Sequence, residues 1–351
     1  QGLMSLKDSA EAARTEASYD NLTYNLIGNI HVNASNLIKI NAKSQTRNPR
    51  ATDLQSIVNT TNRQNVFAGN PALRPVYTHD LTAQYLRTNA GKGRTFTVTL
   101  RFTASPNTIA DSLVIDTPDF VIDDDGTRLG AGNQFVRPVN LAGYWNLRTT
   151  LNYGFPVRFL RSNLNLRAGV TTGRIPSIIN GTRNLLHGNS YNAGLTLGSN
   201  ISENIDFKIA YTGYYNISRN SSKIRTVDND YVNHYLTAGL NLVLGQRFLL
   251  RASADYTCYR GITDPFREER LICNLQAGCK LFRQRLGEVT VGVNDLFDRG
   301  GTSFRRTVTG TYIRNVTNLG LGRYFLVQFT YNLRLFPRQG AAVTRLLEEG
   351  E

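Results

Sequence analysis

The chain has 351 residues and a formal net charge of +14, with 40 Lys and Arg against 26 Asp and Glu. Its 17 Tyr, 16 Phe and 30 Gly suit strands and turns rather than helices, and three cysteines are too few for a disulfide scaffold. No stretch approaches the roughly 20 consecutive apolar residues of a membrane helix; the polar start Gln1 to Asp8 is not a secretory signal, and basic residues spread over many segments argue against nucleic acid as a partner.

Residues 1–19 read as an external loop or N-terminal remnant. From residue 20 to 337 the hydrophobic period is two. Strands are predicted at 24–32, 36–46, 76–88, 94–117, 132–153, 159–172, 188–199, 203–217, 230–244, 246–258, 268–282, 287–297 and 319–336. In the fourth, Phe96, Val98, Leu100 and Phe102 alternate with Thr95, Thr97, Thr99 and Arg101. In the sixth, Leu164, Leu166, Ala168 and Val170 alternate with Asn163, Asn165, Arg167 and Gly169. In the eighth, Ile205, Phe207, Ile209 and Tyr211 alternate with Asp206, Lys208, Ala210 and Thr212. The last sets Phe325, Val327, Phe329 and Tyr331 against Tyr324, Leu326, Gln328 and Thr330. A soluble sandwich keeps strands near five or six residues. Runs of about nine or more match a tilted crossing of a bilayer, with an apolar row on lipid and a polar row on a wet lumen.

Short connections at 89–93, 198–202, 245–246 and 283–287 alternate with long ones at 47–75, 117–132, 172–187, 218–229, 259–267 and 298–318. Outer-membrane barrels have short periplasmic turns and longer external loops. The fold expected is therefore all-β, an antiparallel transmembrane β-barrel in the cell outer membrane, with its C-terminus periplasmic and its long loops extracellular. Thirteen strands is an odd number, whereas such barrels have an even one. Parity therefore predicts that the chain is the back portion of a larger barrel, followed by a tail at 338–351. The stretch 94–117, which contains Pro106, is where one strand and two are hardest to tell apart.

Asn48-Pro49-Arg50-Ala51-Thr52-Asp53-Leu54-Gln55, followed by Asn65-Val66-Phe67-Ala68-Gly69-Asn70-Pro71-Ala72-Leu73-Arg74-Pro75, resembles a stretch of TonB-dependent outer-membrane receptors. With Val76-Tyr77-Thr78-His79-Asp80-Leu81 after it, the segment is similar to the Bacteroidetes-type outer-membrane β-barrel family. Val293 to Asp298, and Gly322-Arg323-Tyr324-Phe325 with Thr330-Tyr331-Asn332, resemble that family's closing strands. The Gly69, Asn70, Pro71, Leu73 and Pro75 pattern is the most specific part. The chain departs from the family at Val76, where Glu is common, and in the tail Gly340 to Glu351. The resemblance implies a barrel of roughly 22 strands, a plug domain and TonB as partners, and import of a scarce ligand such as a metal chelate, oligosaccharide or peptide. It implies no cofactor. A plug-less structural or assembly barrel is the competing reading. An enzyme ranks last, because no Gly-x-Ser-x-Gly, Walker or His-Glu-x-x-His pattern occurs.

Several residues invite a sharper reading. Arg101, Arg148, Arg167, Lys208 and Arg334 fall on the polar rows, where they either attract an anionic ligand or pair with acids inside the barrel. Asp123, Asp124 and Asp125, with Asp116 and Asp119 nearby, are a weak Ca²⁺ candidate, and their spacing fits no EF-hand. His31, His79, His187 and His234 have no paired spacing and are expected in the lumen or loops rather than on a metal. Cys258 and Cys273 flank one loop, so a bridge or two free thiols are both open, and Cys279 is unpaired. Tyr24, Tyr153, Tyr211, Tyr215 and Phe325 are expected in aromatic girdles.

Overall fold

The structure, a computed structural model, describes residues 20–331 except 116, 118–119, 123–125, 127, 200–201, 203, 223–227, 263–265, 283–285, 300–301 and 309–312; of 4–5, 16–17, 302–308 and 313–319 chiefly the backbone is described. One antiparallel sheet dominates. Its strands are β1 (Asn25–Asn33), β2 (Asn36–Arg47), β3 (Val76–Asn89), β4 (Arg94–Ser105), β5 (Tyr144–Val157), β6 (Ser162–Ile179) and β7 (Thr182–Ser199). It continues through β8 (Ile205–Asn220), β9 (Asn229–Leu244), β10 (Phe248–Gly261), β11 (Arg267–Leu281), β12 (Gly287–Asn294) and β13 (Tyr324–Tyr331). Each pairs with the next in chain order. These are the thirteen expected strands in the expected order. Among the described residues no register joins β1 to β13, and both are exposed along nearly their whole length.

The registers put all apolar rows on one face. Leu81, Leu100 and Leu151 lie on it, as do Leu166, Leu195, Ile209, Leu236 and Leu275, and many of them are exposed. Water does not tolerate so wide an apolar surface on a folded chain. A hydrocarbon solvent does, because every interior backbone group is already satisfied by a neighbouring strand.

Three predicted boundaries are corrected. The stretch 172–187 is not a loop: β6 and β7 run straight through it, 18 residues each, and meet in a two-residue turn at Asn180-Gly181. Both turn residues have positive φ, 47° and 75°. That is the requirement of a tight type I′ hairpin, and Asn-Gly is the pair that meets it most cheaply. The stretch 94–117 divides at Pro106-Asn107, and 132–153 divides at Gly143, where φ is 100°. Proline has no N–H for the ladder, and a positive φ redirects the strand.

Beyond these two breaks the chain leaves the main sheet and builds a cap. Thr108–Ile115 pairs antiparallel with Gln134–Leu141. Gln134 to Val136 pairs in parallel with the start of Asn65–Ala68, which in turn pairs with Val58–Asn59. Ser112 and Leu113 pair with Ile178 and Ile179 of β6, tying the cap to the extended hairpin. Val66, Ala68, Leu129 and Phe135 form its core, with Val58, Val114, Phe120 and Ile122 packed around them. The loop 298–318 contributes a two-stranded ladder, Thr302–Val308 on Ile313–Leu319.

Candidate functional site

The polar face carries the Arg, Lys, Asn, Gln and Thr side chains of the alternating strands. Of the predicted basic residues, the structure brings Arg101 and Arg148 together. They stand directly opposite each other on β4 and β5. Arg101 donates to Asp80 at 3.2 Å, and Thr103 donates to the same carboxylate oxygen at 2.6 Å. Asp80 thereby offsets one of the two adjacent positive charges. Arg167 and Lys208 lie on the polar face but apart from that pair. Among the described residues neither they nor Arg148 makes an ion pair. Lys208 is flanked by Gly198 and Gly239, so its side chain has no neighbour opposite on either side. Arg334 and the Asp123, Asp124 and Asp125 group lie outside the described residues.

A second group on this face escaped the sequence reading. Across β7, β8, β9 and β10 the register runs Asn192, Tyr214, Asn233, Tyr259. The adjacent rows carry Asn216 opposite Tyr231, and Thr212 opposite Tyr235 opposite Thr257. Tyrosines and amides thus alternate in two directions. Tyr214 and Tyr235 meet edge to face at 5.9 Å, while Tyr231 and Tyr259 stack at 5.0 Å. Thr212, Tyr214, Asn216, Asn233 and Tyr235 line an open hollow of about 400 Å³. That volume lies within the range of about 300–1,000 Å³ usual for small-ligand sites. The Asn233 carboxamide oxygen is enclosed by protein, yet no donor reaches it. Tyrosines at polar-row positions were the available signal; period two alone makes them look like any other wall residue.

The Gly69–Pro75 motif has a structural task. Gly69 donates its N–H to the Gln55 carbonyl and Asn70 to the Asp53 carbonyl, both at 2.7 Å. A Cβ on Gly69 would fall 2.3 Å from the Gln55 oxygen, so only glycine allows this approach. The Asn70 amide reaches across to the Pro138 carbonyl at 3.0 Å. Asn140 exchanges hydrogen bonds with the backbone of Arg74, and the Asn107 amide donates to the Pro75 carbonyl. The motif therefore fastens the 47–75 loop to the cap. Beneath it Arg50 grips Asp53 through two hydrogen bonds of 2.9 Å. Asp111 lies close by. Burial, and then the Asp53 charge, push its carboxyl above the ordinary range against the pull of Arg50.

The remaining predicted residues resolve as follows. Cys258 stands opposite Glu269 and Cys273 opposite Ala254, four positions apart along β10. That is about 13 Å at the rise of a strand, too far for a disulfide, and all three cysteines are free. His79 and His234 lie on apolar rows rather than in the lumen. Their Nδ1 atoms meet the hydroxyls of Tyr24 at 3.0 Å and Tyr211 at 2.6 Å, so each ring has a hydrogen bond where water is scarce. Tyr153, Tyr211, Tyr215 and Phe325 have the outward parity of girdle residues, and Tyr24 is exposed beside them. Among the described residues no three His, Cys, Asp or Glu side chains converge as a metal site would require.

Solved structures with a similar arrangement of strands include two transporters. They are the F3-3 and F5-1 variants of the FrpB iron transporter from Neisseria meningitidis, with TM-scores of 0.54 and 0.52. Sequence identity is 10% and 11%; 89% and 88% of this chain is covered, against 49% and 50% of theirs. The chain thus spans about half the length of those transporters, and at such identity the likeness is one of fold. No curated protein matches the sequence. Residues 6–331 match the outer membrane protein β-barrel family. Together with an apolar outer face, a polar inner face and ladders that follow chain order, that match over nearly the whole sequence shows that the chain belongs to the outer membrane protein β-barrel family.

Proposed function

We propose that the chain is the barrel portion of a TonB-dependent receptor that imports a scarce ligand across the outer membrane. The carrying observation is a wall with its polar face built for contact and its long-loop end fitted with a packed cap. The likeness to an iron transporter and the Gly69–Pro75 pattern of the Bacteroidetes-type receptors support it. In this reading the cap and the extended hairpin face outward, the short turns face the periplasm, and a plug domain occupies the lumen. TonB supplies energy from the inner membrane. The face has to bind and release, and the reading assigns it no catalytic step.

The test is uptake. Cells with and without the intact gene are given ferric citrate, neutral oligosaccharides or short peptides, each labelled, with and without a protonophore. Accumulation of one class that needs both the gene and the proton gradient is expected. Equal accumulation in both strains for every class, or gene-dependent entry that the protonophore leaves untouched, would refute active import.

A further inference from the structure

We infer that the hollow between β8 and β9 binds an uncharged oligosaccharide; this rests on the import reading and names the substrate class for one site within it. The lining is Thr212, Tyr214, Asn216, Asn233 and Tyr235, five side chains without a formal charge. On the same face Asp255 of β10 stands opposite Thr237, one pair along from Tyr235 and Thr257; Lys208 is four residues from Thr212 on β8, and Arg167 of β6 shares the Thr212 row across Gly194. The Arg101–Arg148 pair is on β4 and β5, several strands away. An anionic metal chelate would meet no cation among the side chains that line the hollow, and the adjacent Asp255 carboxylate would repel it.

What the hollow does offer is a mixture of flat apolar ring faces and amide or hydroxyl edges. Tyrosine presents both in one side chain, with few rotatable bonds to freeze on binding. A sugar ring has the complementary surface, a C–H face and a rim of hydroxyls. The Asn233 oxygen is an acceptor withdrawn from water with no donor, and turning its carboxamide toward the hollow would give it a ligand hydroxyl as partner. The alternation of Tyr and Asn extends beyond the hollow to Asn192, Tyr231 and Tyr259, so several linked sugars would find repeated contacts along one wall. Each contact is weak; the row supplies the affinity.

Full-length protein in detergent, titrated calorimetrically with maltoheptaose, xylohexaose and mannohexaose, tests the assignment. Ferric citrate and tetra-alanine serve as comparators. At least one oligosaccharide is expected to bind, with Tyr214→Ala and Tyr235→Ala each weakening it tenfold or more. Gln84→Ala, on the same face of β3, is expected to leave binding unchanged. Heat-modifiable gel migration shows whether each variant is folded. Absence of saccharide binding, or binding that survives both tyrosine changes in folded protein, overturns the proposal. So does binding of ferric citrate or tetra-alanine that the tyrosine changes abolish. Gradient-dependent ferric citrate uptake without saccharide binding would sink this inference and leave import standing.

Discussion

Asp111 is a carboxyl that the folded cap treats poorly. Withdrawn from water and close to Asp53, it holds its proton more tightly in the folded cap than in an unfolded chain. The sign follows by linkage. A carboxyl with a raised folded-state pKa favours the fold when protonated, and that advantage is lost as pH rises from the ordinary value of 3.8 through the raised one. At neutral pH the charge is a cost to the cap. Asp111→Asn is therefore expected to slow proteolysis within 47–75 at neutral pH. The difference should vanish near pH ~3, where wild-type Asp111 is neutral in both states. Equal cleavage of the two proteins at neutral pH would show that Arg50 already neutralises the site. Arg50 is placed for the attempt, yet its side chain is 74% exposed while that of Asp53 is 6% exposed, so much of its field is spent in water.

At the scale of elements, the contrast is between walls and cap. The walls were legible in the sequence because a strand with lipid on one side must alternate; Phe96 to Phe102 and Leu164 to Val170 could not be arranged otherwise. The cap was not. Its ladders join Asn65–Ala68 to Gln134–Leu141 and to Thr108–Ile115, pairings between distant segments that no local period announces. Pro106 and Gly143 were visible, but only the structure shows that they turn two predicted strands into four. The Gly69–Pro75 pattern was noticed as a resemblance, whereas its task is physical: the backbone of 53–55 lies where a side chain would be. Gly69→Ala should destabilise the cap by about 1–3 kcal/mol, the usual cost of overpacking. Hydrogen exchange at 51–59 and 65–70 should quicken accordingly, with heat-modifiable migration of the barrel unchanged. Unaltered exchange at those amides would mean that the approach of Gln55 is not needed.

For the molecule as a whole, the import reading fixes an orientation. The import reading puts Asn180-Gly181 outside the cell and Gly245-Gln246 in the periplasm. With Cys258, Cys273 and Cys279 changed to alanine, Thr182→Cys should react with a membrane-impermeant maleimide on intact cells. Arg247→Cys should react only after the outer membrane is permeabilised. The reverse pattern would invert the orientation. The candidate site was the least legible part at this scale. In the sequence Arg101, Arg148, Arg167 and Lys208 are four separate charges, and only register shows that two of them meet. The tyrosine and asparagine wall is a property of four neighbouring strands, so it emerges only once the strands are aligned.

The hairpin of β6 and β7 carries a further consequence. Each arm has 18 residues, about 60 Å of strand. At the usual tilt of about 35–45° that is roughly 45 Å of height, against an apolar band of about 25 Å. Much of the surplus rises at the long-loop end as a stiff mast, cross-braced by its own ladder and guyed to the cap at Ile178 and Ile179. In the orientation of the import reading, such a mast would stand clear of the lipid headgroups, where antibodies and phage tail fibres search the surface.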